Sequence, residues 1–283
     1  MTPVSHNPGA TITEGCVTAI DDGTGSDGAG AIARAFVTAR YDGSALPDFP
    51  GAIPATLADA YRVQDAAIRL ADGRIAGWKV GKIAPPVDGI DRLAGPIFAD
   101  SIVTAGDTPP AMPVFGDGFA AAEAEFLLRI GTTPDPAKTD YTIEEATALI
   151  DAVHVGIEVA SSPFPGINSH GPTATVSDFG NNNGLVIGPA ADGWRTADVD
   201  AWPVTLTING EEIGRATTAT MLDGPFGAAR FLLEHLARRG IAMEAGQWIS
   251  SGAVTGVHPV SPGDTVVAGF DGRWTVACTM QAR

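Results

Sequence analysis

Residues 56 to 71 carry Leu57, Ala60, Tyr61, Gln64, Ala67, Ile68 and Ala71 at helical spacing, so this stretch is expected to be an amphipathic helix that Asp72-Gly73 ends. The short apolar run Ile75 to Val80 follows as a strand. Gly81 to Arg92 reads as loop, with Pro85-Pro86 inside it. A second helix is expected over 142 to 154, where Thr142 and Glu145 have capping-box spacing, and a third over 225 to 239, between Pro225 and Gly240. Most of the remaining C-terminal half reads as strands. Val204 to Ile208 runs into the hairpin signal Asn209-Gly210, and Thr265 to Phe270 meets a strand over 273 to 279 through Asp271-Gly272.

No internal repeat is apparent. The expected organisation is an extension over residues 1–30, a small mixed part over 31–105 and a strand-rich part over 106–283. The extension is rich in Gly, Thr, Ser and Asp and reads as disordered or loosely attached. Its Gly28-Ala-Gly30 lacks the spacing and the Lys-Ser/Thr of a phosphate loop.

Composition narrows the choice of function. Of 283 residues, 45% are hydrophobic and 18% charged, enough apolar material for a substantial core. The 35 glycines and 21 prolines favour a turn-rich α+β fold over a helical bundle. A net charge of -16 repels nucleic acid and anionic membranes, and an anionic substrate would need local positive charge from a metal ion or a lysine. Two cysteines, Cys16 and Cys278, build no disulfide framework. Neither a membrane-length apolar run nor a basic-then-apolar leader is present, so a cytoplasmic location is expected.

The chemistry concentrates in acids and one lysine. In Ala121 to Ile130, Glu123 and Glu125 would diverge by about 200° on a helix, which local propensity favours. On a strand they would share a face, about 7 Å apart. The pattern itself leaves both readings open. Glu158 lies among apolar neighbours in Val155 to Ala160, where an unpaired carboxylate is costly. Three converging carboxylates require a cation, and all-oxygen ligation suits Mg2+ or Mn2+. Lys79, between Gly77 and Gly81 in an apolar strand, either extends to solvent or sits by a metal-bound substrate with its pKa lowered by burial and the nearby cation. Lys82 offers extra positive charge.

These residues occur within motifs that follow one order: Gly-Trp-Lys-Val-Gly (77–81), Ile-Phe-Ala-Asp (97–100), Glu-Ala-Glu (123–125), Ile-Glu (157–158), Asn-Gly-Leu-Val-Ile-Gly (183–188), Ser-Gly-Ala-Val-Thr-Gly (251–256) and Pro-Gly-Asp-Thr-Val (262–266). Over about residues 50 to 280 the chain resembles the 2-keto-4-pentenoate hydratase and 4-oxalocrotonate decarboxylase family of the fumarylacetoacetate hydrolase superfamily. The resemblance implies a rolled, mixed β-sheet domain and puts the Glu123–Glu125 pair on a strand. It also implies a divalent ion, Mg2+ or Mn2+, on Glu123, Glu125 and Glu158, with Lys79 catalytic. Val80, Gly81 and Lys82 beside it, Asn182, and the turn Ser251, Gly252 to Thr255 with its backbone donors would contact a small 2-keto acid. A homo-oligomer, or pairing with a decarboxylase partner, is implied as well.

The implied reaction adds water to a 2-hydroxy-2,4-dienoate to give a 4-hydroxy-2-keto acid. Decarboxylation of a vinylogous 2-keto acid and a non-catalytic partner subunit are the alternatives. The sequence departs from the family at Leu93, where hydratases often carry an aspartate, with Asp91 two residues upstream as a substitute if the loop shifts. It departs again at Lys82, where the family commonly has an apolar residue. Carbon–carbon hydrolases of the superfamily need a histidine in the N-terminal part of the site, and none lies between His6 and His154. His154 is expected to cap or pack at a helix end, and His258 to face the distal end of the substrate or sit exposed.

Overall fold

A computed structural model describes residues 28–283. Most of the expected N-terminal extension, with Cys16, lies outside them. The elements are α1 (Gly28–Asp42), α2 (Leu57–Leu70), β1 (Ile75–Val87), β2 (Ile90–Phe98), β3 (Ile102–Thr104), β4 (Ala111–Val114), β5 (Phe119–Ile130), α3 (Ile143–Ala148), β6 (Ile150–Ser162), α4 (Pro172–Ser177), β7 (Asn182–Ala190), β8 (Val204–Ile208), β9 (Glu211–Ala216), α5 (Gly224–Arg238), β10 (Trp248–Ser250), β11 (His258–Pro259), β12 (Thr265–Phe270) and β13 (Trp274–Ala282). The fold is mixed α/β with two mixed sheets. An eight-stranded sheet runs β2-β1-β10-β5-β6-β7-β3, with β11 on β5, and a five-stranded sheet runs β4-β13-β12-β8-β9.

The two sheets share a core through β5. Because successive strand residues point to opposite faces, Ala122, Ala124, Phe126 and Leu128 enter the main core, where Phe126 meets Phe270 edge-on at 5.2 Å. Glu123, Glu125 and Leu127 turn the other way, and Leu127 packs with Ile97, Leu185 and Ile187. The helix propensity of Ala-Glu-Ala-Glu is overridden by pairing on both sides, β6 on one and β10 with β11 on the other. Tertiary burial decides the element, and it brings both glutamates onto one face.

The expected helices at 56–71 and 225–239 appear as α2, capped by Thr56, and α5, which has its proline in the first turn. The hairpin turns Asn209-Gly210 and Asp271-Gly272 have the positive φ angles that two-residue hairpins require. Two expectations are corrected. The helix expected over 142–154 has its capping box but ends at Ala148, because Ile150 onward joins β6 and pairs with β5 along its length. Gly81–Arg92 is no loop: β1 continues to Val87 and pairs with β2 through Gly81↔Leu93 and Lys82↔Arg92. Its turn is Asp88-Gly89, both at positive φ, a hairpin signal that Pro85-Pro86 obscures in the sequence. No helix among the described residues is long and apolar enough to cross a membrane.

Candidate active site

Strand register assembles the acids. Glu123 stands directly opposite Glu158 in the β5–β6 pair, and Glu125 stands opposite Gly156, whose missing side chain leaves room for Leu127. One carboxylate oxygen from each of Glu123, Glu125 and Glu158 lies within 4.8 Å of the others, and all three side chains are buried. Lys79 of β1, held beside Ser250 of β10, places its Nζ 3.3 Å from Glu158 Oε1. Asn182 Nδ2 donates to the same oxygen at 2.9 Å. Ser250 Oγ and the Gly252 amide donate to Glu125 Oε2 at 2.5 and 2.9 Å. Glu125 Oε1 and Glu158 Oε2 have no hydrogen-bond partner.

The electrostatics of this group are unbalanced. Burial pushes the Glu123 carboxyl up to about 7, with the Lys79 charge opposing and the Glu158 charge adding to the rise. Glu125 is pushed well above its ordinary range by burial and by the charges of Glu158 and Glu123. For Lys79, burial disfavours the ammonium, but the carboxylates of Glu158, Glu123 and Glu125 outweigh it and hold the amine above its ordinary value. The lowering expected from the sequence is thus present as one contribution and is reversed by the acids. Two orphaned oxygens within a buried, all-oxygen set of three carboxylates fit a hard divalent cation.

A cavity of about 960 Å3 opens beside the cluster, and Lys79, Val80, Gly81, Lys82, Glu123, Ser251, Gly252 and Thr255 all lie in its wall. Asn182 does not. It is spent on Glu158 and borders a second cavity on the far side, while its neighbour Asn181 lines the first, buried and with Oδ1 unpartnered. The expected backbone donors of the 251–255 turn are largely used within the protein. Ser251 N donates to Phe126 O, Gly252 N to Glu125 and Val254 N to Ala124 O. Among side-chain groups of the turn, Ser251 Oγ is buried without a hydrogen-bond partner. Leu93 lines the cavity, whereas Asp91 remains outside it, paired with Arg92. His154 lies within β6, bonded to Gly188 O, and His258 bonds to Thr255 O rather than facing the cavity.

The sequence reading did not single out Ser250, Asn181, Asp178 or Arg40. The only signal for Ser250 and Asn181 in the sequence is position, Ser250 just before the 251–256 motif and Asn181 just before Asn182. Arg40 and Asp178 are brought together over a separation of 138 residues.

Residues 98–281 match the family described as fumarylacetoacetate (FAA) hydrolase C-terminal. The chain is 28% identical over 230 residues to a 2-keto-4-pentenoate hydratase of Burkholderia vietnamiensis, covering 80% of this chain and 86% of that one. It is 24% identical over 257 residues to a 4-oxalocrotonate decarboxylase of a Pseudomonas species, covering 89% and 95%. The fold resembles 4-oxalocrotonate decarboxylase from Pseudomonas putida G7, solved with magnesium and adipate, with a TM-score of 0.75, 23% identity and coverage of 89% and 97%.

Proposed function

Given that the chain belongs to the fumarylacetoacetate hydrolase family, we propose that it is a metal-dependent lyase of the 2-keto-4-pentenoate hydratase type, with Glu123, Glu125 and Glu158 holding Mg2+ or Mn2+. The observation that carries this reading is the convergence of three buried carboxylates, two of their oxygens unpartnered, beside a cavity that also contains the Lys79 ammonium. A divalent cation at this position supplies the positive charge that binds a 2-keto acid and favours its enol form. Lys79 Nζ moves the proton that interconverts dienol and ketone. Ser251 Oγ and Asn181 Oδ1, both without a hydrogen-bond partner in the protein, orient the substrate in the cavity wall. Water then adds at C4 to give a 4-hydroxy-2-keto acid.

The test is incubation with 2-hydroxypenta-2,4-dienoate, with Mg2+ and after EDTA. Metal-dependent loss of the dienol absorbance and appearance of a 4-hydroxy-2-keto acid are expected. Metal-loaded protein that leaves the dienoate untouched would end the hydratase reading, and a protein that binds no metal would end the three-glutamate site.

One observation favours a second reading, decarboxylation of a vinylogous 2-keto acid. Leu93 presents an apolar wall where a water-positioning acid is expected, and Asp91 does not reach the cavity. Release of CO2 from 4-oxalocrotonate without a hydrated product would establish it.

Lys82 bears on the substrate's distal group. Among the described residues it is a cavity-lining cation without an ion-pair partner, whereas Lys79 and Arg92 are paired with Glu158 and Asp223. Lys82→Leu is expected to reduce kcat/KM for dicarboxylate over monocarboxylate substrates by about two- to fivefold, the scale of one solvated charge pair. An unchanged preference would remove Lys82 from recognition.

A further inference from the structure

Three consecutive residues between α4 and β7 have left-handed backbone: Phe179 (φ 53°), Gly180 (φ 66°) and Asn181 (φ 66°). A bulky residue such as Phe179 is rare there, and such a conformation persists only where its surroundings impose it. Asp178, immediately before the turn, is buried. It accepts from Arg40 Nε at 2.5 Å, Arg40 Nη2 at 2.9 Å and Ser162 Oγ at 2.6 Å, and its carbonyl accepts the Asn181 amide at 2.8 Å. Arg40, projecting from α1, also donates to Asn183 Oδ1 at 3.1 Å and lies 5.3 Å from the centre of the Phe179 ring. One guanidinium therefore grips the chain on both sides of the turn and covers its first residue.

Each residue that follows Phe179 touches a different part of the site. Gly180 packs on the stem of Lys79, where an added Cβ would lie 3.2 Å from Lys79 Cδ. Asn181 lines the cavity, and Asn182 donates to Glu158 Oε1. Arg40 itself touches none of these groups, and lies on the far side, in the wall of the second cavity of about 590 Å3.

We propose that Arg40 is a positioning residue: through its ion pair with Asp178 it holds the Phe179–Asn181 turn left-handed, and so fixes the Lys79 side chain, the Asn181 amide and the Asn182–Glu158 hydrogen bond. This rests on the function proposed above for Lys79 and the three glutamates. Loss of a buried ion pair that served stability alone would lower the melting temperature and leave the kinetics of the folded protein intact.

The full chain and its Arg40→Ala and Arg40→Lys variants would be compared for Mn2+ affinity by EPR titration and for kinetics on 2-hydroxypenta-2,4-dienoate, well below each melting temperature. Arg40→Ala is expected to lower kcat about 10- to 100-fold and to weaken Mn2+ binding about tenfold, with KM moving less than about threefold. Because Arg40 borders the second cavity, millimolar guanidinium is expected to restore much of the lost kcat, and urea at the same concentration to restore none. Arg40→Lys keeps the charge without the two-pronged contact and should fall between wild type and alanine. If the alanine variant does not fold, the lysine variant decides alone. A kcat and Mn2+ affinity within about twofold of wild type in the folded variant would overturn the proposal. A wild type that binds Mn2+ but leaves the dienoate unchanged would instead overturn the hydratase function, and the Mn2+ titration would still decide the role of Arg40. A wild type that binds no Mn2+ overturns both.

Discussion

Lys79→Met is expected to lower kcat by about two to four orders of magnitude, the usual worth of a positioned proton carrier, while Mn2+ affinity stays the same or tightens. Methionine keeps most of the stem that packs on Gly180 and removes only the ammonium. That ammonium is the cation among four buried charged groups, and it competes with a divalent ion for Glu158, 3.3 Å away. Its loss therefore removes chemistry without removing ligands. The carboxylates hold Lys79 protonated in the absence of a cation, so the residue becomes a base only when their charge is neutralised. The measurement is dienol consumption alongside a Mn2+ titration on the same preparation. Turnover near the wild-type rate would take Lys79 out of the mechanism. Loss of both metal binding and turnover would make it structural.

The sequence disclosed whatever is local. Asn209-Gly210 and Asp271-Gly272 demand positive φ from neighbouring residues, and both turns form as read. The Thr142–Glu145 capping box started its helix where expected, but no local signal marked its end at Ala148. There the limit is long-range pairing, because Ile150 onward gains more as a strand beside β5 than as helix. Glu123 and Glu125 show the same limit from the other side. Their propensity favours helix, their face-sharing requires a strand, and only the β5–β6 register brings Glu158 opposite Glu123. Within the site, residue type was easier to read than residue geometry. Asn181 and Asn182 are adjacent and chemically identical, yet one lines the cavity and the other is used by Glu158. The left-handed turn that separates their roles is held by Arg40, from an element that sequence pattern does not connect to it.

Replacing Glu123 with glutamine is expected to stabilise the metal-free protein and to take away most of the stability that Mg2+ adds to wild type. The sign follows from burial. Glu123 is raised from its ordinary 4.5 to about 7 in the folded chain, so the folded state holds its proton over a range where the unfolded chain has lost it. Metal-free wild type must therefore lose stability as pH rises from about 4.5 through about 7, and glutamine, which has no proton to lose, escapes that loss. The gap amounts to about 3 kcal/mol by pH 8 and vanishes at pH 4; acids distant from the cluster titrate alike in both proteins and cancel, while Glu125 gains and Lys79 loses when the Glu123 charge is removed, effects of opposite sign. Mg2+ narrows this gap at pH 8 and inverts the order at pH 5, where the metal-free gap is under about 1 kcal/mol. Outer-shell substitutions alone cost 10- to 100-fold in metal affinity, so losing one of three direct ligands should cost at least about a hundredfold. Mg2+ at a hundred times the wild-type Kd contributes about 2.7 kcal/mol to wild type and little to the variant. Urea denaturation of both proteins at pH 5 and pH 8, with EDTA and with excess Mg2+, gives the four comparisons needed. A stability difference between the two proteins that Mg2+ leaves unchanged at both pH values would mean that Glu123 is not a ligand, since loss of a direct ligand must reduce what the cation contributes.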